Sequence, residues 1–308
     1  MSAQIVKIHS LEEYVREITA LYEDSPEGPA RNELLYRGQY VAGQPLLPSI
    51  YRSIEEREND GEHVITGTLL IEERTMIETA KRKLPDIFLP ELKPLELLAL
   101  LQHYGIPTRL MDLSENAFVG LYFACEDRRR KYSGIYEDGE VIVFKHERNS
   151  IVDTPVMEAI AESYKFADKN QSLVRFYENM VRQSYCAENS YMMTEEIVGE
   201  RSKERFIMDH CRGVNFVNTT IRSRRQYSQD GRYILFANDI DKVAHRWQDR
   251  ISELKRDDEN IYKIIQVDRD AKETILKHLE MFGTRKSKLF ADNVDIICEE
   301  IRDKSMIR

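Results

Sequence analysis

Cysteine is scarce in this 308-residue sequence and badly placed for cross-linking: Cys125, Cys186, Cys211 and Cys298 lie far apart, and no Cys-x-x-Cys occurs. Such spacing fits reduced thiols serving as small hydrophobes better than a disulfide framework or a structural zinc. The seven histidines include no i, i+4 pair, so no metal-ligand helix is expected and no metal is assigned. No run approaches the roughly 20 apolar residues of a membrane span, and the opening MSAQIVKIHS lacks a signal peptide's apolar stretch. The expectation is a cytoplasmic protein with no membrane partner. An excess of positive charge is missing too. With 45 Lys and Arg against 54 Asp and Glu, the net charge of -9 disfavours bulk attraction to nucleic acid, while leaving a local basic groove open. Internal repeats and low-complexity tracts are also lacking.

What is present is a 42% apolar fraction, enough to build a sizeable core. Ser10 and the acidic pair Glu12-Glu13 predict a helix start, with Leu11, Val15, Ile18 and Leu21 as its apolar stripe and Ser25-Pro26 as its stop. Glu33–Gln39 reads as a short buried strand, 46–52 as a proline-punctuated loop, 67–84 as an amphipathic helix and 95–102 as a short apolar helix. Asp112 or Ser114 is the expected cap of a helix over 116–127. Strands are expected at 140–145, 233–236 and 262–267, extended structure over 213–217 and at Ile221, a helix capped by Asp270 and closed by Gly283, and a last helix over 294–303. Irregular helical signals fill 154–204. The fold class implied is α+β, a mixed sheet with surrounding helices, in a single domain spanning 1–308 with a helical insertion near 150–212.

One stretch stands apart. His103-Tyr104-Gly105-Ile106-Pro107-Thr108-Arg109-Leu110-Met111-Asp112 packs five polar side chains around a Gly-x-Pro turn, between the apolar runs ELLALLQ and AFVGLYFAC. Polar groups wedged between core-forming elements are costly unless they bond to one another or to a ligand. Upstream, Arg37 and Gln39 stand at the end of a predicted strand beside Gly38, where an arginine fork and backbone amides can meet a phosphate.

These residues carry a resemblance. Tyr36-Arg37-Gly38-Gln39, Leu47-Pro48-Ser49 with Arg52, the 103–112 stretch with the following helix, Ser228-Gln229-Asp230-Gly231-Arg232-Tyr233 and Leu289-Phe290-Ala291-Asp292 together resemble the FRG domain family over roughly 30–295, with 150–212 unmatched. Leu113, Ser114 and Ala117 stand where the family pattern has Trp, Thr and Pro, which implies a differently packed helix entrance. The order of an early Arg, a central Thr or Ser element and a late Gln or Glu is also similar in layout to ADP-ribosyltransferases.

That layout implies an enzyme using NAD+ as substrate, for ADP-ribosyl transfer or glycohydrolysis, of the kind that serves as a bacterial toxin or phage-defence effector. Arg37, His103, Asp112 and Gln229 are then the catalytic candidates; Arg37, Gly38, Gln39, His103, Tyr104, Thr108 and Arg109 are the nucleotide-binding set. Gln229 stands where a transferase places a Glu, and an amide cannot supply charge to an oxocarbenium-like transition state. Thr108 and Ser114 also read as local caps. Arg109 reads as a loop brace near an Asp. The basic segment Arg222–Tyr227 reads either as a phosphate-steering patch or as a charged strand edge. Two other readings stay open: a non-catalytic module for a nucleotide or nucleic acid, and an internal polar network in a protein whose partner is another protein. In the enzyme reading a macromolecular ADP-ribose acceptor is a further partner.

Overall fold

The computed structural model describes residues 4–23, 33–53, 57–59, 62–66, 69–126, 137–146, 155–168, 173–183, 213–220, 223–237, 239–243, 246–250, 254–293 and 296–298. In chain order these form β1 (Gln4–Ile8), α1 (Leu11–Glu23), β2 (Glu33–Gln39), α2 (Ser49–Ser53), β3 (Arg57–Asn59), β4 (Glu62–Thr66), α3 (Leu69–Lys83), α4 (Pro94–His103), β5 (Leu110–Ser114) and α5 (Ala117–Cys125). After them come β6 (Gly139–His146), α6 (Pro155–Glu162), α7 (Leu173–Gln183), β7 (Val214–Val217), α8 (Arg224–Ser228), β8 (Gly231–Phe236), β9 (Asp239–Val243), β10 (Arg246–Arg250), β11 (Ile261–Val267), α9 (Lys272–Met281) and α10 (Lys286–Leu289).

The architecture is α+β. A seven-stranded mixed sheet runs β1-β11-β6-β2-β5-β8-β7, parallel only between β1 and β11, and a second sheet runs β3-β4-β10-β9. The apolar side chains divide into three clusters. One contains Tyr14, Tyr36, Val119, Leu121, Ile275 and Leu279, joining α1, α5 and α9 to the β11-β6-β2 half of the sheet. Another joins α3, α4, α6 and α7 to β5 and β8 through Ile77, Leu98, Leu110, Ile160, Met180 and Leu235. The third contains Leu35, Met111, Leu113, Ile142 and Ile234 from both halves, with Ile50, Tyr51 and Leu69 against them. Alternation along β2 explains the division: Leu34 and Tyr36 belong to the first cluster and Leu35 to the third, as the period of two in a strand requires. Among the described residues no helix is long and apolar enough to cross a membrane.

The central join of the large sheet is slight. All seven β2 residues pair with β6, from Glu33 opposite His146 to Gln39 opposite Glu140, whereas β2 meets β5 only at Tyr36 opposite Ser114. Beyond that point the strands part. Helix α5 spans the junction at very close range: a Cβ on Gly38 would stand 2.0 Å from the Gly120 carbonyl oxygen and 2.7 Å from the Ala124 nitrogen. Gly38 is therefore required by the seating of α5 on β2.

Several expectations need correction. Residues 49–53 form a helical turn rather than loop, and β1, β5 and the second sheet carry no expectation from the sequence. The cap of α5 is Asn116, whose Oδ1 accepts from the Phe118 nitrogen; Ser114 instead receives the Asn116 nitrogen. Asp268 caps the turn before α9 by accepting from the Asp270 nitrogen, so Asp270 is not the capping acceptor. Residues 223–227 are not a strand edge, and Ile221 and Arg222 lie outside the described residues. Ser223 and Gln226 form a capping box, with Ser223 Oγ accepting from the Gln226 nitrogen and Gln226 Oε1 from the Ser223 nitrogen, and this opens α8. Within 150–212 the described helices α6 and α7 join the helical cluster, and 184–212 lies outside the described residues. Most of the helix expected over 294–303 also lies outside them, with 296–298 helical.

Candidate active site at the parting of two strands

The parting of β2 and β5 opens a cleft of about 270 Å³. Its floor and one wall come from the end of β2, with Arg37, Gly38 and Gln39; the facing wall comes from β5, with Asp112, Leu113 and Ser114. Helix α5 contributes Val119, Gly120 and Phe123, one side of a helix at helical spacing, and Glu126 at its C-terminal cap. Tyr40 and Gln44 reach in from the loop after β2, and Arg225 and Gln229 from α8 and its end. Residues separated by almost 200 positions thus meet in one concave surface, the usual form of a small-molecule site.

Several polar groups there are anchored. Arg37 Nη1 donates to the Asp112 carbonyl oxygen at 2.8 Å, across the gap. The Asp112 carboxylate accepts from Gln102 Nε2 at 2.7 Å, and the Gln102 Oε1 accepts from the Thr108 hydroxyl at 2.6 Å. Thr108, fully buried, also accepts from the Leu110 nitrogen, so its role is to brace the entrance of β5. Gln229 Nε2 donates to the Leu289 carbonyl at 2.9 Å, while the Gln229 carbonyl accepts from Ser114 Oγ at 2.6 Å. The loop carrying Tyr40 and Gln44 is held by the wholly buried Glu140: its carboxylate accepts two bonds from Arg256, at 2.6 and 2.9 Å, and one from the Gly43 nitrogen at 3.1 Å. Arg256 also donates to the Gln44 carbonyl. Lys272 donates to the Tyr40 carbonyl and lies 3.5 Å from the centre of its ring.

Arg37, Gly38, Gln39, Asp112 and Gln229, named from sequence, meet in this cleft; His103, Tyr104, Thr108 and Arg109 do not line it. His103 stands behind Arg225. Its Nε2 lies 3.7 Å from an Asp292 carboxylate oxygen that also accepts from the Arg225 nitrogen. Burial lowers the His103 pKa, the Arg225 charge lowers it further, and Asp292 pulls the other way. Tyr104 is half exposed, edge-on to Phe88 and His103.

Arg109 is a core residue, 0% exposed. Its Nε donates to Glu73 at 2.9 Å and its Nη2 to the carbonyls of Ile160 and Ala161 at the end of α6. It is a brace, as one reading of the sequence has it, but its carboxylate partner is Glu73 of α3 and not the nearby Asp112. Burial pushes the Glu73 carboxyl above its ordinary range, opposed by the Arg109 guanidinium. Sequence reasoning missed Tyr40, Gln44, Phe123 and Glu126 as cleft residues. Only the 119, 123, 126 spacing offered a signal, and it reads equally as a core stripe. Arg225 was visible as a basic residue, but the capping box that starts its helix went unread.

Residues 32–133 match the family model of the FRG domain. The chain carries an FRG domain. The matched segment holds β2, the 103–112 stretch and α5, and therefore both strands that frame the cleft and the helix over them. Arg225 and Gln229 come from outside it, so the cleft is completed by the part of the chain beyond the FRG match. No curated protein and no solved structure matches this chain.

Proposed function

We propose that this FRG protein is an NAD+-utilising enzyme whose substrate occupies the cleft between β2 and β5. The observation that carries the reading is the meeting of two guanidinium-bearing residues, Arg37 and Arg225, with two carboxylate-bearing residues, Asp112 and Glu126, and the aromatic residues Tyr40 and Phe123 around one opening. A diphosphate calls for planar cationic forks, which Arg supplies better than Lys. Flat rings suit aromatic walls. A ribosyl cation forming as the glycosidic bond breaks is stabilised by a carboxylate.

In this reading the bond between the nicotinamide nitrogen and the ribose carbon breaks, and nicotinamide leaves with the electron pair. Water or an acceptor nucleophile then bonds to the same carbon and releases its proton. Arg37 and Arg225 hold the phosphates, while Asp112 and Glu126 supply negative charge. The Gln229 amide, engaged with the Leu289 carbonyl, keeps α8 in place. The test is incubation of the purified protein with NAD+ and chromatography of free nicotinamide, with mass spectrometry of added protein and nucleic acid for transferred ADP-ribose. Release that disappears in a folded Arg37→Ala variant is the expected result; wild-type protein that releases none overturns the reading. A toxin role adds the expectation that induced expression depletes cellular NAD+ and arrests growth.

A second reading, a nucleotide-binding module without turnover, is favoured by one observation: the late glutamine is an amide anchored to the backbone, with no charge to offer. NAD+ or ADP binding without nicotinamide release would support it.

A further inference from the structure

Gln39 is 7% exposed, lines the cleft, and its side-chain Oε1 is buried without any hydrogen-bond partner. Buried polar atoms in folded proteins are nearly always paired, and an unpaired one costs about 1–3 kcal/mol. Glu140, opposite Gln39 across the β2–β6 ladder, is an acceptor like it, receiving Arg256 and the Gly43 nitrogen, and has no proton to offer. Arg37, two residues back on the same strand, donates to the Asp112 carbonyl.

We propose that the Gln39 side chain is the specificity determinant of the cleft, recognising a primary carboxamide on the ligand through a paired amide–amide contact. The inference rests on the NAD+ reading and sharpens it. A carboxamide gives an N–H to Gln39 Oε1 and accepts from the Gln39 amide nitrogen in the same plane, so both ends of each amide are satisfied. A phosphate accepts only, and would leave the buried oxygen unpaired. A carboxylate in place of the carboxamide has no proton to give and sets oxygen against oxygen. The cleft volume of about 270 Å³ lies just below the roughly 300 Å³ at which drug-sized sites begin, which suits the nicotinamide mononucleotide half of the substrate and not the whole dinucleotide.

The experiment compares nicotinamide mononucleotide with nicotinic acid mononucleotide, identical except for carboxamide against carboxylate, by calorimetry on wild type and Gln39→Met. Methionine keeps the length and removes both hydrogen-bonding atoms. It relieves an unpaired buried oxygen, so the variant should melt no lower than wild type. Wild type should prefer the carboxamide at least about tenfold, equivalent to one bidentate contact, and the ratio should fall to about one in Gln39→Met, with ADP-ribose binding unchanged. Equal affinity of wild type for the two mononucleotides overturns the proposal, and so does a preference that survives in Gln39→Met. If wild type binds NAD+ and releases nicotinamide yet shows no such preference, only this inference falls. If it binds ADP-ribose but neither NAD+ nor the mononucleotides, the NAD+ reading falls with it.

Discussion

The guanidinium of Arg37 bridges the gap in the large sheet, its Nη1 donating to the carbonyl oxygen of Asp112 at 2.8 Å where a continuous ladder would have placed strand against strand. The arginine is only partly buried and lines the cleft. Arg37→Ala should remain folded, losing no more than about 3 kcal/mol for a charge-assisted bond, while nucleotide affinity and nicotinamide release are abolished. A thermal melt beside a turnover assay checks both halves. An unfolded variant would mean that the residue serves the fold first.

Gly38 answers to a different constraint. A methyl there meets backbone atoms of α5 at 2.0 and 2.7 Å, and neither can swing aside. Gly38→Ala should lower stability by about 3 kcal/mol or more, at or beyond the upper end of ordinary overpacking. Gly43, with φ +83° and nothing within 4 Å of a built Cβ, should lose only the roughly 1–2 kcal/mol of a strained left-handed residue. Urea unfolding of the two alanine variants ranks them.

Arg109 and Glu73 form an ion pair with side chains 0% and 1% exposed. Removing one partner strands the other, so Arg109→Met should cost about 3–5 kcal/mol, and much of that loss should return in the double variant Arg109→Met with Glu73→Leu. A double-mutant cycle in denaturant reads the coupling. Nucleotide affinity of the folded double variant should stay within about twofold of wild type, because neither residue reaches the cleft.

His103 links stability to pH. Its folded pKa lies below the ordinary value of 6.5, because burial and Arg225 both disfavour the imidazolium more than Asp292 favours it. The unfolded chain therefore binds the proton more readily. The stability contributed by neutral His103 is fully present above about pH 6.5 and is lost as pH falls through the lower, folded value. Melting temperatures measured between pH 7.5 and 5 should decline in wild type, with a shallower decline in His103→Gln.

The sequence makes the strands and helices of the FRG segment legible because each carries its own pattern and punctuation: Glu33–Gln39 is a short apolar run ending at a glycine, and Gly105-Ile106-Pro107 stops α4. The cleft is legible only in part. Arg37, Gly38, Gln39, Asp112 and Gln229 stand out by type and order, but which polar residue turns inward is decided by partners remote in sequence. Arg109 goes into the core because Glu73 and the end of α6 await it, and nothing near position 109 announces either. Strand β5 escapes notice because Leu110–Ser114 follows a proline turn and ends in residues that look like caps. The hairpin of β9 and β10 is lost for the opposite reason: Asp239–Arg250 is too polar to read as strand, and its pairing with β4 compensates.

The single residue pair joining β2 to β5 has a mechanical consequence. One half of the sheet carries Arg37 and the other carries Asp112, with Gln229 docked on its Ser114, and along that seam side-chain packing, the Arg37 bond and α5 take the place of a backbone ladder. Any compound gripping both margins becomes a clasp, and the free energy needed to unfold the protein must climb with the logarithm of its concentration once that exceeds the dissociation constant.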